Sequence, residues 1–418
     1  MGAAANAFAP ANFFRPYDSA IQLPCTKNTN FKLGARVEYG DHKTAKNIDG
    51  NRRNVLALHN DMQSLIPAFL NPTASIQAGA STVLAALTTA HGGTPTADGK
   101  RGEMTFSGEY SEIDTTLFGR YKLPYTDELG DLNLSLHLPI VNKKMGSFTY
   151  NDLTPNRDAA DLGIKDLIVD LVNNAKTFGG LDLSATDHTG IGDILLLLEG
   201  MRSFPQDKEL LKKVILMTKL GVMMPTGKQK DEDKAFSFAL GNDGAWGLPL
   251  GIGMTLGFVY DIRLGVDVDF MVLFDKTRVR RMKTNANQTE FLLLNKGEAT
   301  KEFGLTWQFH LFAQAYHFID GLSAKAAYQF VKHDDDRLLP KGNDFSFTIV
   351  NTANSLREWT AHNMVFSLNY DFFCHHKHNH DHCGQSWVPQ LNLFYKASIA
   401  GKNIIDNNTI GGQLAISF

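Results

Sequence analysis

The sequence predicts an all-β fold, an antiparallel transmembrane β-barrel of about twelve strands, or alternatively about fourteen. Three observations predict it. Segments of roughly 10–14 residues alternate apolar with small or polar side chains, well beyond the ~5–6 residues usual for a strand. The connections between them alternate long and short along the chain. Aromatic residues gather near segment ends, as Tyr39, Tyr121, Phe204, Phe258, Phe274, Phe318 and Phe418 do. A soluble β-sandwich has no reason for that asymmetry of connections.

In chain order, residues 1–30 are rich in Ala, Asn and Pro and read as an N-terminal arm, periplasmic or lumenal, with a frayed tail as the bland alternative. The barrel is expected over 31–418. Its first strand is Phe31–Gly40, with Leu33, Ala35, Val37 and Tyr39 on one face and Lys32, Arg36 and Glu38 on the other. Residues 41–102 form a long helical insertion: Val55, Leu56, Leu58, Met62, Ile66 and Phe69 recur at helical spacing, and Ser75–Thr89 is Ala-rich. The second strand turns Ile113, Thr115, Leu117 and Tyr121 outward, while Met104, Phe106 and Tyr110 have the opposite parity, which predicts a bulge or a separate short strand near residue 111. The third places Leu132, Leu134, Leu136, Leu138 and Ile140 opposite Asn133, Ser135 and His137. A long loop over 142–190 follows, with a helix expected at Ile164–Ala175.

Further strands are expected at Gly192–Phe204, Glu209–Met224, Trp246–Phe258, Ile262–Phe274, Phe303–Phe318, Leu322–Val331, Thr360–Phe373, Trp387–Lys396 and Thr409–Phe418. In Trp246–Phe258 one face, Gly247, Pro249, Gly251, Gly253, Thr255 and Gly257, is almost without side chains, which favours close approach of another backbone or a ligand. In the last strand Ile410, Gly412, Leu414, Ile416 and Phe418 share the apolar face.

The chain has 41 basic and 44 acidic residues and a net charge of −3, so no bulk basic field argues for nucleic acid. A mean hydropathy of −0.20 fits a barrel, where lipid-facing and lumen-facing residues cancel. No run approaches the ~18 apolar residues of a spanning helix. The start lacks a basic and an apolar signal region and reads as a mature chain, with a secretion signal removed beforehand.

Short turns on one side and long extracellular loops on the other are the pattern of outer-membrane barrels, and an even strand count puts both ends in the periplasm. The terminal strand ending in Phe418 resembles the closing strand of such barrels, where the aromatic belongs to the signal read by the barrel-assembly machinery. The block 191–257 carries more: Gly192-Asp193-Ile194 opens one strand, Pro225-Thr226-Gly227-Lys228 follows another, and the glycine-rich strand comes after. This order resembles the outer-membrane transporter family named for phenol meta-pathway degradation, akin to the long-chain fatty-acid and aromatic-hydrocarbon channels. The resemblance implies a Gram-negative outer-membrane channel for passive uptake of small, hydrophobic or aromatic solutes, in contact with bilayer and lipopolysaccharide. The insertion at 41–102 and the segment 374–383 depart from the pattern. A general porin, or an adhesin using its long loops, are the alternatives.

By parity the pore lining is Lys32, Arg36, Glu38, Arg120, Lys122, His137, Asp193, Glu199, Lys213, Lys219, Arg263, Asp267, Asp269, His310, Lys325, Asp371 and Lys396, with Gln308, Gln329, Asn369 and Asn392 among them. Charges of mixed sign can equally be salt-bridged fillers that hold the wall. A twelve-strand barrel is wider than the eight-strand case that side chains just fill, so something else must occupy the lumen. The periplasmic turn 374–385 holds Cys374 and Cys383 around His375, His376, His378, His380 and His382. Those are ligand types for Zn, Cu or Ni, while a Cys374–Cys383 disulfide closing the turn is the other reading, and the two are compatible. No cofactor is required. Ser135 and His137 share a face, but no nucleophile elbow or acid partner accompanies them, so no enzyme is expected.

Overall fold

A computed structural model describes residues 17–21, 30–73, 76, 100–124, 130–372, 374–377, 380–383 and 387–418, the two short stretches around 380 as backbone only. The rest of the N-terminal arm, the second helix expected in 41–102 and His378 lie outside these residues.

Twelve antiparallel strands close on themselves. They are β1 (Phe31–His42), β2 (Glu103–Lys122), β3 (Asp131–Asp152), β4 (Ile194–Pro205), β5 (Leu211–Met224), β6 (Gly247–Phe258), β7 (Ile262–Leu273), β8 (Thr306–Ile319), β9 (Leu322–His333), β10 (Trp359–Asp371), β11 (Val388–Lys402) and β12 (Thr409–Ser417). Each pairs with its neighbours in sequence except at the seam, where β12 pairs with β1. There the Phe31 and Phe418 amides and carbonyls bond reciprocally at 2.8 Å, and their rings lie 5.2 Å apart. Closure satisfies every strand edge, which hydrocarbon requires.

The outer wall is apolar. Leu134, Leu136, Leu196, Phe366 and Leu414 stand exposed on it, and Leu250 and Val266 are half-exposed beside them. Toward the long-loop side this pattern inverts. Met104, Phe106 and Tyr110 are buried while Ser107 and Glu109 are exposed, yet the inward parity of β2 runs unbroken through Arg120. The register with β3 shifts between Ser107 and Glu109, a few residues from the bulge expected near 111, and Glu103–Lys122 is one strand rather than two. Beyond the bilayer the wall has water outside and packed protein inside, so its apolar face switches sides. The same extension carries β3 on to Asp152, eleven residues into what reads as loop.

The packed protein is a cap made by several long loops. Val55, Leu56, Leu58, Ile66 and Phe69 join it, but as a 3₁₀ turn (Val55–Ala57) and a four-residue helix (Leu65–Ala68) rather than a continuous helix. The 142–190 segment supplies two helices, Ala159–Val169 and Leu171–Gly179, where one was expected. Phe106, Phe148, Phe236 and Phe291 meet with ring centroids 4.8–6.0 Å apart. Buried Arg281 ties the loops together, donating to the carbonyls of Leu293 and Leu294 and to those of Gly179 and Gly180 at a helix C-terminus, at 2.9–3.0 Å.

Asp243 is a second tie, accepting from Arg278 at 2.7 Å and Arg280 at 2.9 Å. Burial pushes its carboxyl up, but the two guanidiniums outweigh that and hold it at about 2. A depressed folded value stabilises the cap above the ordinary carboxylate range and stops doing so as pH falls toward about 2. Hydrogen exchange of the 225–246 loop should accelerate between about pH 4 and 2, and Asp243→Asn should abolish that acceleration.

The inversion gives a second expectation. Leu136→Arg should destabilise the barrel by roughly 2–4 kcal/mol in vesicle-based denaturant unfolding, and Ser107→Arg by no more than ~0.5 kcal/mol. Equal penalties would put the upper part of β2 in hydrocarbon.

Candidate functional site

The lumen is crossed by Tyr17–Ile21, all five residues buried. The strand walls supply its anchors. Lys396 of β11 donates to the Asp18 carboxylate at 3.0 Å, and His310 of β8 lies 3.7 Å from it. Ser19 Oγ donates to Asp269 of β7 at 3.1 Å and accepts from Lys219 of β5. Lys325 of β9 donates to the Ser19 carbonyl at 3.1 Å, and Asn392 of β11 to that of Ile21 at 3.4 Å. Ala20 and Ile21 pack on Phe312, Ala327, Val365 and Phe394. The Tyr17 ring reaches the opposite wall, 6.4 Å from His137 of β3. A single short segment thus bridges strands from around the barrel.

The glycine face of β6 makes room for this. A Cβ at Gly251 or Gly253 would collide with the carboxylates of Asp269 and Asp267, which stand directly opposite on β7. The close approach is by side chains of the wall itself rather than by a ligand or backbone.

Two cavities flank the segment. On the long-loop side an open space of ≈ 930 Å³ is lined by Asp18, Glu38, Glu112, Asp114, Lys143 and Trp359, among others. On the short-turn side one of ≈ 490 Å³ is lined by Lys32, Arg36, Arg120, His137, Phe118 and Glu199, among others. The first is rich in carboxylates, the second in cations.

The sequence-predicted lining residues separate into groups. Lys219, Asp267, Asp269, His310, Lys325 and Lys396 surround the crossing segment, with Gln308 donating to Asp269 at 2.7 Å. Asp371 accepts from Gln390 at 2.6 Å and Asn369 at 3.0 Å, and pairs with His317 at 2.7 Å. Arg263 stacks over Tyr316, 3.4 Å from its centroid. Lys122 sits at the short-turn rim, paired with Asp131 at 2.5 Å, and Lys213 lies opposite Gly257 near the same end.

Asp193 lies just before β4, and its carboxylate accepts from the backbone amides of Gly227 at 2.8 Å and Asn242 at 2.5 Å. Thr226 Oγ1 donates to Gly192 O at 2.7 Å and accepts from Ile194 N at 3.0 Å. The Gly192-Asp193 and Thr226-Gly227 motifs therefore interlock as one loop tie, outside both cavities. Gly241 packs so tightly on this carboxylate that a Cβ there would collide with it.

Asp18, Ser19, Glu112, Asp114, Lys143 and Trp359 are site residues that strand reading missed. Glu112 and Asp114 share the parity of Arg120 and were legible from it. Asp18 has no periodic neighbour; its one signal is that it is the only acid among the first 30 residues. In the turn after β10, Cys374–Lys377 and His380–Cys383 pair as a two-stranded hairpin, with Cys374 opposite Cys383 and His375 opposite His382.

No protein-family model and no curated protein sequence matches the chain. Among solved structures it is similar to an outer membrane channel from Pseudomonas putida F1, with a TM-score of 0.50 and 12% identity over 96% of this chain and 99% of that one. Others include the transport unit of the autotransporter AIDA-I from Escherichia coli (TM-score 0.37, 10% identity, 100% and 97% of the two chains) and a mutant TodX monoaromatic hydrocarbon channel (0.34, 11%, 94% and 91%). The fold is that of an outer-membrane β-barrel, closed by twelve strands.

Because Asp193 holds loops rather than solute, Asp193→Ala should lower stability by about 2–4 kcal/mol through two lost charge-assisted bonds. Chemical denaturation would measure this, and bilayer conductance should stay at its wild-type value. Altered conductance with unaltered stability would return Asp193 to the pore.

Proposed function

We propose that this protein is a bacterial outer-membrane channel for passive uptake of small hydrophobic or aromatic solutes, with a lumen constricted by its own N-terminal segment. The observation that carries the reading is Tyr17–Ile21 bound across the lumen, with a cavity on either side. An open general porin leaves that space to water. The burial of the long-loop aromatics in one cap favours a channel over an adhesin, which needs its loops free.

The same proposal includes insertion through the barrel-assembly machinery at the Phe418 strand and contact with lipopolysaccharide around the long-loop rim. The register that sets Cys374 opposite Cys383 supports a disulfide closing the His-rich turn; Zn, Cu or Ni binding by its histidines is compatible with it.

Planar-bilayer recording tests the channel. Wild type should show small, intermittent conductance, and deleting residues 1–28 should enlarge it. The block is steric, so the effect should persist at 1 M salt, where the Debye length is ~3 Å. Large, steady wild-type conductance unchanged by the deletion would overturn the constriction.

A further inference from the structure

The turn between β10 and β11 holds a chemistry that no part of the barrel uses. Its backbone is a two-stranded hairpin in which Cys374 pairs with Cys383, His375 with His382, His376 with Asp381 and Lys377 with His380. In an antiparallel pair, directly opposed residues share a face, and the faces alternate along each strand. The register therefore sorts these residues into two sets. His375, Lys377, His380 and His382 belong to one face, and Cys374, His376, Asp381 and Cys383 to the other. A one-residue slip would mix the two sets, so the division is a property of this register.

The first face is histidine at every position except Lys377. Directly opposed residues have Cβ atoms roughly 4.5–5.5 Å apart, and positions two apart on one strand lie roughly 7 Å apart. Imidazoles at such spacings converge on one ion, with metal–nitrogen distances of about 2.0–2.1 Å. Three of them are a sufficient protein ligand set for a tetrahedral ion whose fourth position water fills. Lysine adds nothing to the set, because a protonated ammonium has no lone pair to donate. The second face is a different donor set of two thiols, one imidazole and one carboxylate. A disulfide there spends both thiols and leaves that face one imidazole and one carboxylate, too few donors for a tight site.

We propose that His375, His380 and His382 form a three-imidazole site for a divalent ion of the Zn, Cu and Ni class, on the face of the hairpin opposite a Cys374–Cys383 bridge. The inference rests on the disulfide-closed reading of the turn and deepens it. Bridge and metal occupy separate faces, so the bridge holds the register that assembles the site and does not compete for the ion. His376, though within the same run of sequence, belongs to the face of the bridge and is not a ligand.

Titration calorimetry with zinc chloride on the full, refolded, oxidised chain in detergent tests it. Wild type should bind Zn²⁺. His375→Gln, His380→Gln and His382→Gln should each weaken it at least about tenfold, against less than about twofold for His376→Gln. Imidazole must be neutral to bind a metal, so wild-type affinity should fall as pH drops through ~6.5, the ordinary histidine value. Co²⁺ in place of Zn²⁺ should bind without thiolate-to-metal absorption. Heat-modifiable migration on a gel confirms that each variant is folded. No Zn²⁺ binding by wild type, or His376→Gln as damaging as His382→Gln, would overturn the site. So would binding that appears only after reduction and with thiolate absorption, since that puts the ion on the cysteine face. Mass mapping of Cys374 and Cys383 separates the two readings. Free thiols with Zn²⁺ held by the three histidines remove the bridge and leave the site, whereas a bridged turn without Zn²⁺ binding removes the site and leaves the bridge.

Discussion

The rest of the structure depends on one constraint: in hydrocarbon, every backbone amide and carbonyl must find its partner within the chain. The β1–β12 seam meets it, running from Lys32 opposite Ser417 to Gly40 opposite Thr409. Once the sheet closes, parity is set around the whole circumference, because a one-residue slip would turn every lipid-facing side chain inward. The exposed Leu136, Phe366 and Leu414 and the buried Ser135, Ser367 and Gln413 are consequences of that single closure. So is the convergence of charges from five strands on one lumenal segment.

Inside the wall a different economy applies. Lys219, Asp269, Lys325, Lys396 and Asp18 are charges removed from bulk water, and a buried ion pair roughly offsets its own desolvation. Their net contribution to stability is accordingly small, while removing one partner strands the other. What such a network does well is specify position. The serine and aspartate of Tyr17–Ile21 meet cations from β5, β9 and β11 and a carboxylate from β7, and no other placement would pair them all.

Much of the barrel was legible because lipid contact imposes a period of two that few other environments impose. Leu132 to Ile140 and Ile410 to Phe418 could be assigned faces from the residues alone. The reading broke down where the surroundings of the wall change. At Met104, Phe106 and Tyr110 the backbone continues as before while the medium outside becomes water and the medium inside becomes the cap. A change of solvent then looks like a change of parity. The partners of Asp193 were not legible for a related reason: it stands beside a strand, where parity has no meaning, and Gly227 and Asn242 are distant in sequence. The cap helices were only partly legible, since Val55 to Phe69 are buried by convergence of several loops rather than by one amphipathic face.

The lumenal segment lies beyond any periodic reading, and physical reasoning explains why it is nevertheless well placed. Tyr17–Ile21 has no regular hydrogen-bond ladder of its own; the Ile21 amide bonds the Asp18 carbonyl at 3.2 Å, and the Ala20 amide caps onto the Asp18 carboxylate at 2.9 Å. The Asp18 carboxylate, the Ser19 hydroxyl and the Ser19 and Ile21 carbonyls are engaged by side chains fixed on the strands. The wall is therefore the template and the segment the guest. The ladders that close the barrel do not pass through residues 17–21. The lumen is thus closed by a guest rather than by its own wall, through contacts of small net energy on which the closure of the barrel does not depend.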